Sequence, residues 1–317
     1  MLKILMSRPG CGCLVSEMKK KLLSAAALGV ALLLASGAGA VEPWREGTSG
    51  LEFINVAGGC YQMGQDEAEK ADLTMLAGEE GARLAFGDEL PTHEVCVPDF
   101  NLGRHEVTVA AFSKFVEATG YRTGAEIAGG CQEYPIPRYR WEENPKRNWR
   151  EPGFTQKADE PVVCLSWNDT RAFADWLSKA NPGKAFRLPT EAEWEFAARD
   201  RGRIKNFDTA FKLDDLGWHA VNSPRRTSPV GRKKAGELGV FDLYGNVWEW
   251  VGDYYSRRAY GSSSKENPTG PTQGDLRVLR GGGWNSFAWD CRAAKRDHAA
   301  AAHRDTNLGF RLVYTGK

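Results

Sequence analysis

The chain has 317 residues, enough for one large domain or two small ones. With 42 basic and 41 acidic residues its formal charge is +1, which argues against the basic surface that nucleic-acid binding needs. Glycine (35) and tryptophan (11) are abundant, which predicts a loop-rich fold with a core filled by large rings.

The first forty residues are expected to lie outside the fold. Met18-Lys19-Lys20-Lys21 reads as a basic start, Leu22 to Ala35 as an apolar stretch, and Ala38-Gly39-Ala40 as a cleavage signal. Val41 then begins the mature chain, and residues 1–17 read as an extension upstream of the true start. The apolar stretch is too short, and too rich in alanine and glycine, to span a membrane. The expectation is a periplasmic or secreted monomer with no membrane anchor after processing.

Residues 41–48 form a short lead, and one domain is expected over 49–315. Leu51 to Val56 alternates like a strand, Gly58-Gly59 turns it, and Gly59 to Gly64 and His93 to Val97 read as two more strands. The acidic stretch Asp66 to Asp88 is read as a loop. Phe100 to Val107 is read as a strand, after which Thr108 caps a helix that presents Phe112, Phe115 and Val116 on one face and ends at Gly120. Gly129 to Lys157 has no periodicity and is read as a long ordered loop, a type of segment that often carries function. Ser166 or Asn168 caps the next helix, and Thr190 with Glu193 forms a capping box for a helix buried through Trp194, Ala197 and Ala198.

The long loop interleaves Arg138, Arg140, Lys146, Arg147 and Arg150 with Tyr134, Tyr139, Trp141 and Trp149. Charge and stacking together could cradle a peptide, a glycan or a small anionic ligand there. The alternative is a solvated loop face. Trp284 is a further candidate for ligand contact. Of the five cysteines after residue 40, Cys60 and Cys96 lie in apparent strands and are expected to form a cross-strand disulfide. Cys131 and Cys164 flank the polar loop, where a bridge would restrain it. Both pairings are hypotheses, and Cys291 would be left over.

Several segments carry a resemblance. They are Gly58-Gly59-x-x-x-Met63-Gly64, Glu106-Val107-Thr108, Pro161-Val162-Val163-x-x-Ser166-Trp167, Arg187 to Glu195, Gly245-Asn246-Val247-Trp248-Glu249-Trp250, Arg280-Gly281-Gly282 and Asn307-Leu308-Gly309-Phe310-Arg311. In this order they resemble the formylglycine-generating (sulfatase-modifying factor) family. The resemblance implies an α+β, C-type-lectin-like domain with a few helices and short mixed strands. It also implies a calcium site made by the side chains of Asp242 and Glu249 and the carbonyls of Gly245 and Val247, which suits a cation that takes several hard oxygens. Otherwise Glu249 would pair with an arginine such as Arg280.

Copper-dependent members of that family hold Cu(I) with two cysteines. The corresponding positions here fall on Ser286 and Cys291, or on Gly283 and Ala288, depending on which flanking motif anchors the alignment. Neither choice gives two thiols, so copper is not expected, and Ser286 and Cys291 are the only catalytic candidates at this place. Iron is an alternative metal through His298 and His303 with Asp297 or Asp305, while Arg292 and Arg296 are read as core ion-pair partners. The expected role is that of an exported binding or accessory protein of the cell envelope. A periplasmic oxidase resembling the siderophore-maturation members is the second reading, and a sulfatase-activating oxidoreductase the third.

Overall fold

The computed structural model describes residues 42–134, 141–204 and 213–316, so the leader expected over residues 1–40 lies outside the described residues. Five strands form one sheet in the order β1 (Trp44–Arg45), β2 (Glu52–Val56), β5 (Phe100–Gly103), β13 (Val313–Gly316) and β8 (Lys184–Arg187). Four form a second sheet in the order β11 (Arg296–Ala300), β10 (Leu276–Arg280), β9 (Trp248–Tyr254) and β12 (Leu308–Phe310). Two pairs stand apart: β3 (Gly59–Met63) with β4 (His93–Val97), and β6 (Cys131–Glu133) with β7 (Glu142–Asn144). The helices are α1 (Glu67–Phe86), α2 (Val109–Thr119), α3 (Gly124–Ile127), α4 (Trp167–Ala180), α5 (Glu191–Ala198) and α6 (Leu213–Leu216). This is the α+β fold the motifs imply.

Local chemistry sets the helix ends. Thr108 accepts from the Ala111 amide at 3.2 Å, and Gly120 closes α2 in the left-handed region at φ 65°. Ser166 is the cap of α4, in a reciprocal box with Asp169. Thr190 and Glu193 form the box expected at α5. One core cluster packs α2 and α4 against the sheets through Phe53, Phe112, Phe173, Trp250 and Phe310. A second gathers Trp194 and Phe196 of α5 with Val95, Val251, Val278 and Cys291. Cys60 is bonded to Cys96 across the β3–β4 pair, and Cys131 to Cys164, so both expected bridges are present.

Three expectations change. The stretch read as an acidic loop is the helix α1, capped by Asp66, which accepts from the Glu69 amide at 2.8 Å. Gly78, at φ 71° and ψ 164°, breaks its helical geometry midway. The helix is held by tertiary contacts that no local pattern announces: Leu73, Ala82 and Phe86 make a small core with Trp289, and Arg292 reaches Glu69. The strand read over Phe100–Val107 ends at Gly103, where the Gly103 amide donates to Leu312 and the chain turns toward α2. The long loop contains the β6–β7 pair, in register from Cys131–Asn144 to Glu133–Glu142.

Candidate functional site

The glycine-rich motifs, far apart in sequence, are stitched together at one end of β9. The Trp284 amide donates to Asn246 at 2.8 Å, and the Trp248 amide to Asn307 at 2.8 Å. Asn307 Nδ2 donates to Asn285 Oδ1 at 2.7 Å. Gly245 permits the close approach: at φ 119°, a β-carbon there would lie 2.1 Å from the Trp218 carbonyl oxygen. Asn246, also left-handed at φ 66°, accepts from the Ser228 amide at 2.9 Å and donates to Glu106 Oε1 at 3.1 Å.

Three buried carboxylates, Glu106, Asp242 and Glu249, surround one buried cation, Arg311. Arg311 holds Glu249, and the Trp194 indole donates to Glu249 Oε2 at 2.8 Å. The partner expected for Glu249, Arg280, instead binds Glu191 and Glu195 of α5. Burial, followed by the charge of Asp242, holds the Glu106 carboxyl well above its ordinary range. Burial also pushes Asp242 up to about 6, although the Gly231 amide and Arg311 counteract it. Glu106 Oε2 and Asp242 Oδ1 are buried without a protein partner. These two unpartnered oxygens are hard donors of the kind a divalent cation takes, with Asp242 the more readily ionised of the two. Glu249 contributes less freely, because Arg311 already binds it.

At the place of the copper cysteines, Ser286 and Cys291 have structural surroundings. Ser286 Oγ accepts from the Gly283 amide at 2.9 Å and so closes the turn. Cys291 is fully buried in the second core cluster, packed so tightly that a β-carbon on Gly282 would lie 2.5 Å from its sulfur. Burial, together with the charge of Asp290, pushes the thiol far up. A thiol held in its neutral form is a poor nucleophile and a poor metal ligand.

The ligand-binding candidates divide. Arg138 and Arg140 lie outside the described residues. Trp141 is exposed and contacts Tyr134, with ring centres 5.3 Å apart. Trp149 and Trp284, in contrast, are core residues. Trp149 packs edge-on against Phe112, and Trp284 donates its indole N–H to the Thr306 carbonyl at 3.1 Å. The neighbouring cations are partly neutralised, since Arg147 pairs with Glu133 and Arg150 with Glu126.

The histidines are not gathered into one site. His303 pairs with Asp305 at 2.9 Å, and His298 stacks on Tyr255 with ring centres 3.9 Å apart. Among the described residues, no three His, Cys, Asp or Glu side chains converge as metal ligands. Arg292 and Arg296 are buried ion-pair partners, as expected. Arg292 binds Glu69 and Glu89, and Arg296 binds Glu191 at 2.7 Å. Glu106 and the pairing of Glu249 with Arg311 go beyond the sequence expectations, although all three residues stand in the motifs that carry the resemblance.

Comparison with known proteins agrees with this fold. The profile of the sulfatase-modifying factor enzyme 1-like domain matches residues 40–315, and the chain belongs to that family. It is 32% identical to the formylglycine-generating enzyme of Streptomyces coelicolor, over 77% of this chain and 89% of that protein. It is 30% identical to the inactive Cα-formylglycine-generating enzyme 2 of Mus musculus, over 82% and 85%. It is 34% identical to the serine/threonine-protein kinase Pkn1 of Chlamydia trachomatis over 76% of this chain, which spans only 38% of that kinase. Among solved structures, PvdO from Pseudomonas aeruginosa shares the fold with a TM-score of 0.67 at 24% identity, covering 88% of this chain and 99% of PvdO.

Proposed function

We propose that this chain is an exported binding or accessory member of the family, which does not work through a copper–thiolate pair. The observation that carries this reading is the state of its cysteines. Of the five cysteines among the described residues, four are consumed in two disulfides, and the fifth, Cys291, is a buried core thiol. Two disulfides also support an oxidising compartment, in keeping with the leader-like pattern of residues 18–40. Calcium at Asp242, completed by the carbonyls of Gly245 and Val247 and by Glu249, is part of the proposal. When bound it would neutralise buried carboxylates and fix the loop.

The test is copper loading of the mature protein with Cu(I), followed by incubation with a Cys-x-Pro-x-Arg peptide. The expected result is no stoichiometric copper and no aldehyde product. One copper per chain that disappears in Cys291→Ser, with peptide oxidation, would overturn the reading.

A further inference from the structure

A cavity of about 640 Å³ opens near the opposite end of β9 from the glycine motifs, where Gly252 and Asp253 line it. That volume lies within the range of small-molecule sites. Its apolar wall is built by Val97, Trp167, Phe186 and Leu188. Three arginines line it; Arg187 is held by Glu193, and the other two are Arg277 and Arg171. Arg277 is sandwiched between rings, its guanidinium carbon 3.8 Å from the Trp167 ring centre and 3.4 Å from that of Tyr254. Arg171, exposed on α4, lies over the same Trp167 at 5.2 Å.

Neither arginine has a carboxylate within ion-pair distance among the described residues. Arg277 donates to the Gly252 carbonyl at 2.7 Å, while its Nε is buried without a partner. The fully buried arginines Arg280, Arg292, Arg296 and Arg311 are matched with glutamates, whereas Arg277, half-buried, and Arg171, exposed, are not. Burial and then the charge of Arg171 draw Arg277 below its ordinary range, so the two guanidiniums are close enough to disfavour each other. An arriving anion would remove that cost.

We propose that this cavity binds an organic carboxylate with an apolar body, the carboxylate on Arg171 and Arg277 and the body against Trp167, Phe186 and Leu188. A planar guanidinium fixed between rings presents its N–H groups in the geometry a carboxylate accepts. The other lining charges leave this possible. Glu193 is already held by Arg187 at 2.7 Å, and Asp175 is exposed. Asp253, pushed up to about 8 by burial and then by the charge of Glu191, is largely protonated near neutrality and does not repel the anion.

The inference deepens the binding reading and rests on it, but the two fail separately. Copper-dependent peptide oxidation would remove the binding reading itself. Absence of carboxylate binding in a protein without copper chemistry removes only this site.

The experiment is calorimetric titration of the mature protein with 4-phenylbutyrate, 4-phenylbutanamide and inorganic phosphate. The carboxylate is expected to saturate, with the amide at least about tenfold weaker, a difference of about 1.4 kcal/mol. Arg171→Gln, at an exposed position, should weaken the carboxylate about fivefold or more with an unchanged melting temperature, within the range for a charge-assisted hydrogen bond. Arg277→Lys keeps the charge but loses the flat fork, and should weaken it as well. Equal binding of acid and amide, no saturation, or an unaffected Arg171→Gln would overturn the proposal. Phosphate binding as tightly as phenylbutyrate would overturn the apolar half of the site.

Discussion

Arg311 clasps Glu249 through Nε and Nη2, with contacts of 2.9, 2.7 and 2.6 Å to the two carboxylate oxygens. The pair joins the two sheets: Glu249 lies in β9, Arg311 lies between β12 and β13, and Arg311 Nη1 also donates to Gly103 of β5 at 3.2 Å. Both side chains are shielded from solvent. Removing one member strands the other charge in the core, which costs roughly 3–5 kcal/mol. Glu249→Gln and Arg311→Met should each lower stability by about that amount in urea titration. The double variant should lose less than the sum, because the stranded charge is gone. Two single variants within about 0.5 kcal/mol of the parent, the usual range for surface substitutions, would dismiss the clasp as a stabilising element.

Calcium should bear on the same cluster. With the cation bound, Asp242 Oδ1 gains the partner it lacks. Calcium added to chelator-treated protein should raise the melting temperature, and the increment should vanish in Asp242→Asn. A cation that binds only the folded state at about 100 times its Kd contributes about 2.7 kcal/mol. The result that would defeat this site is an increment of the same size in parent and Asp242→Asn.

Much of this fold was legible because its signals are local or belong to motifs. Thr108, Ser166 and Thr190 announce their helices by capping chemistry that acts within three residues. Cys60 and Cys96 were placed opposite one another because two alternating segments were recognised as strands. The helix α1 escaped because its support comes from afar: Arg292 is 223 residues from Glu69 and 203 from Glu89. That the rings of Trp149 and Trp284 are buried is hidden in the sequence for a related reason. A tryptophan among arginines looks the same in sequence whether its ring meets a ligand or Phe112. The charge cluster of Glu106, Asp242, Glu249 and Arg311 draws on three separate segments, so only half of it is visible in the sequence, through Asp242 and Glu249.

The dependence of α1 on Arg292 can be tested directly. Arg292 donates to Glu69 at 2.7 Å and to both oxygens of Glu89 at 2.8 and 2.7 Å. Arg292→Met leaves both carboxylates without their cation. Hydrogen exchange should then accelerate in Glu67–Phe86 well beyond any change in α2 or α4, since local opening follows the loss of local anchoring. A uniform acceleration across all three helices would indicate that Arg292 serves global stability and has no special hold on α1.

Asp253 offers a pH test with a defined sign. Its carboxyl is held at about 8 against an ordinary 3.8, first by burial and then by the charge of Glu191. A raised carboxyl favours the folded state fully only while the unfolded chain is protonated too, below about pH 4. As pH rises from there toward 8, the unfolded chain releases the proton and the folded chain keeps it, so stability is lost throughout that window. Above 8 both states are ionised and the loss levels off. Asp253→Asn cannot ionise, and its amide oxygen can still accept from the Glu191 amide, which Asp253 binds at 2.8 Å. The stability of Asp253→Asn relative to the parent should therefore improve steadily between pH 5 and pH 8, measured as urea midpoints at each pH. A difference that stays flat over this interval would mean that Asp253 ionises in the folded protein near its ordinary value, and that the cavity it lines is more negative than the carboxylate site requires.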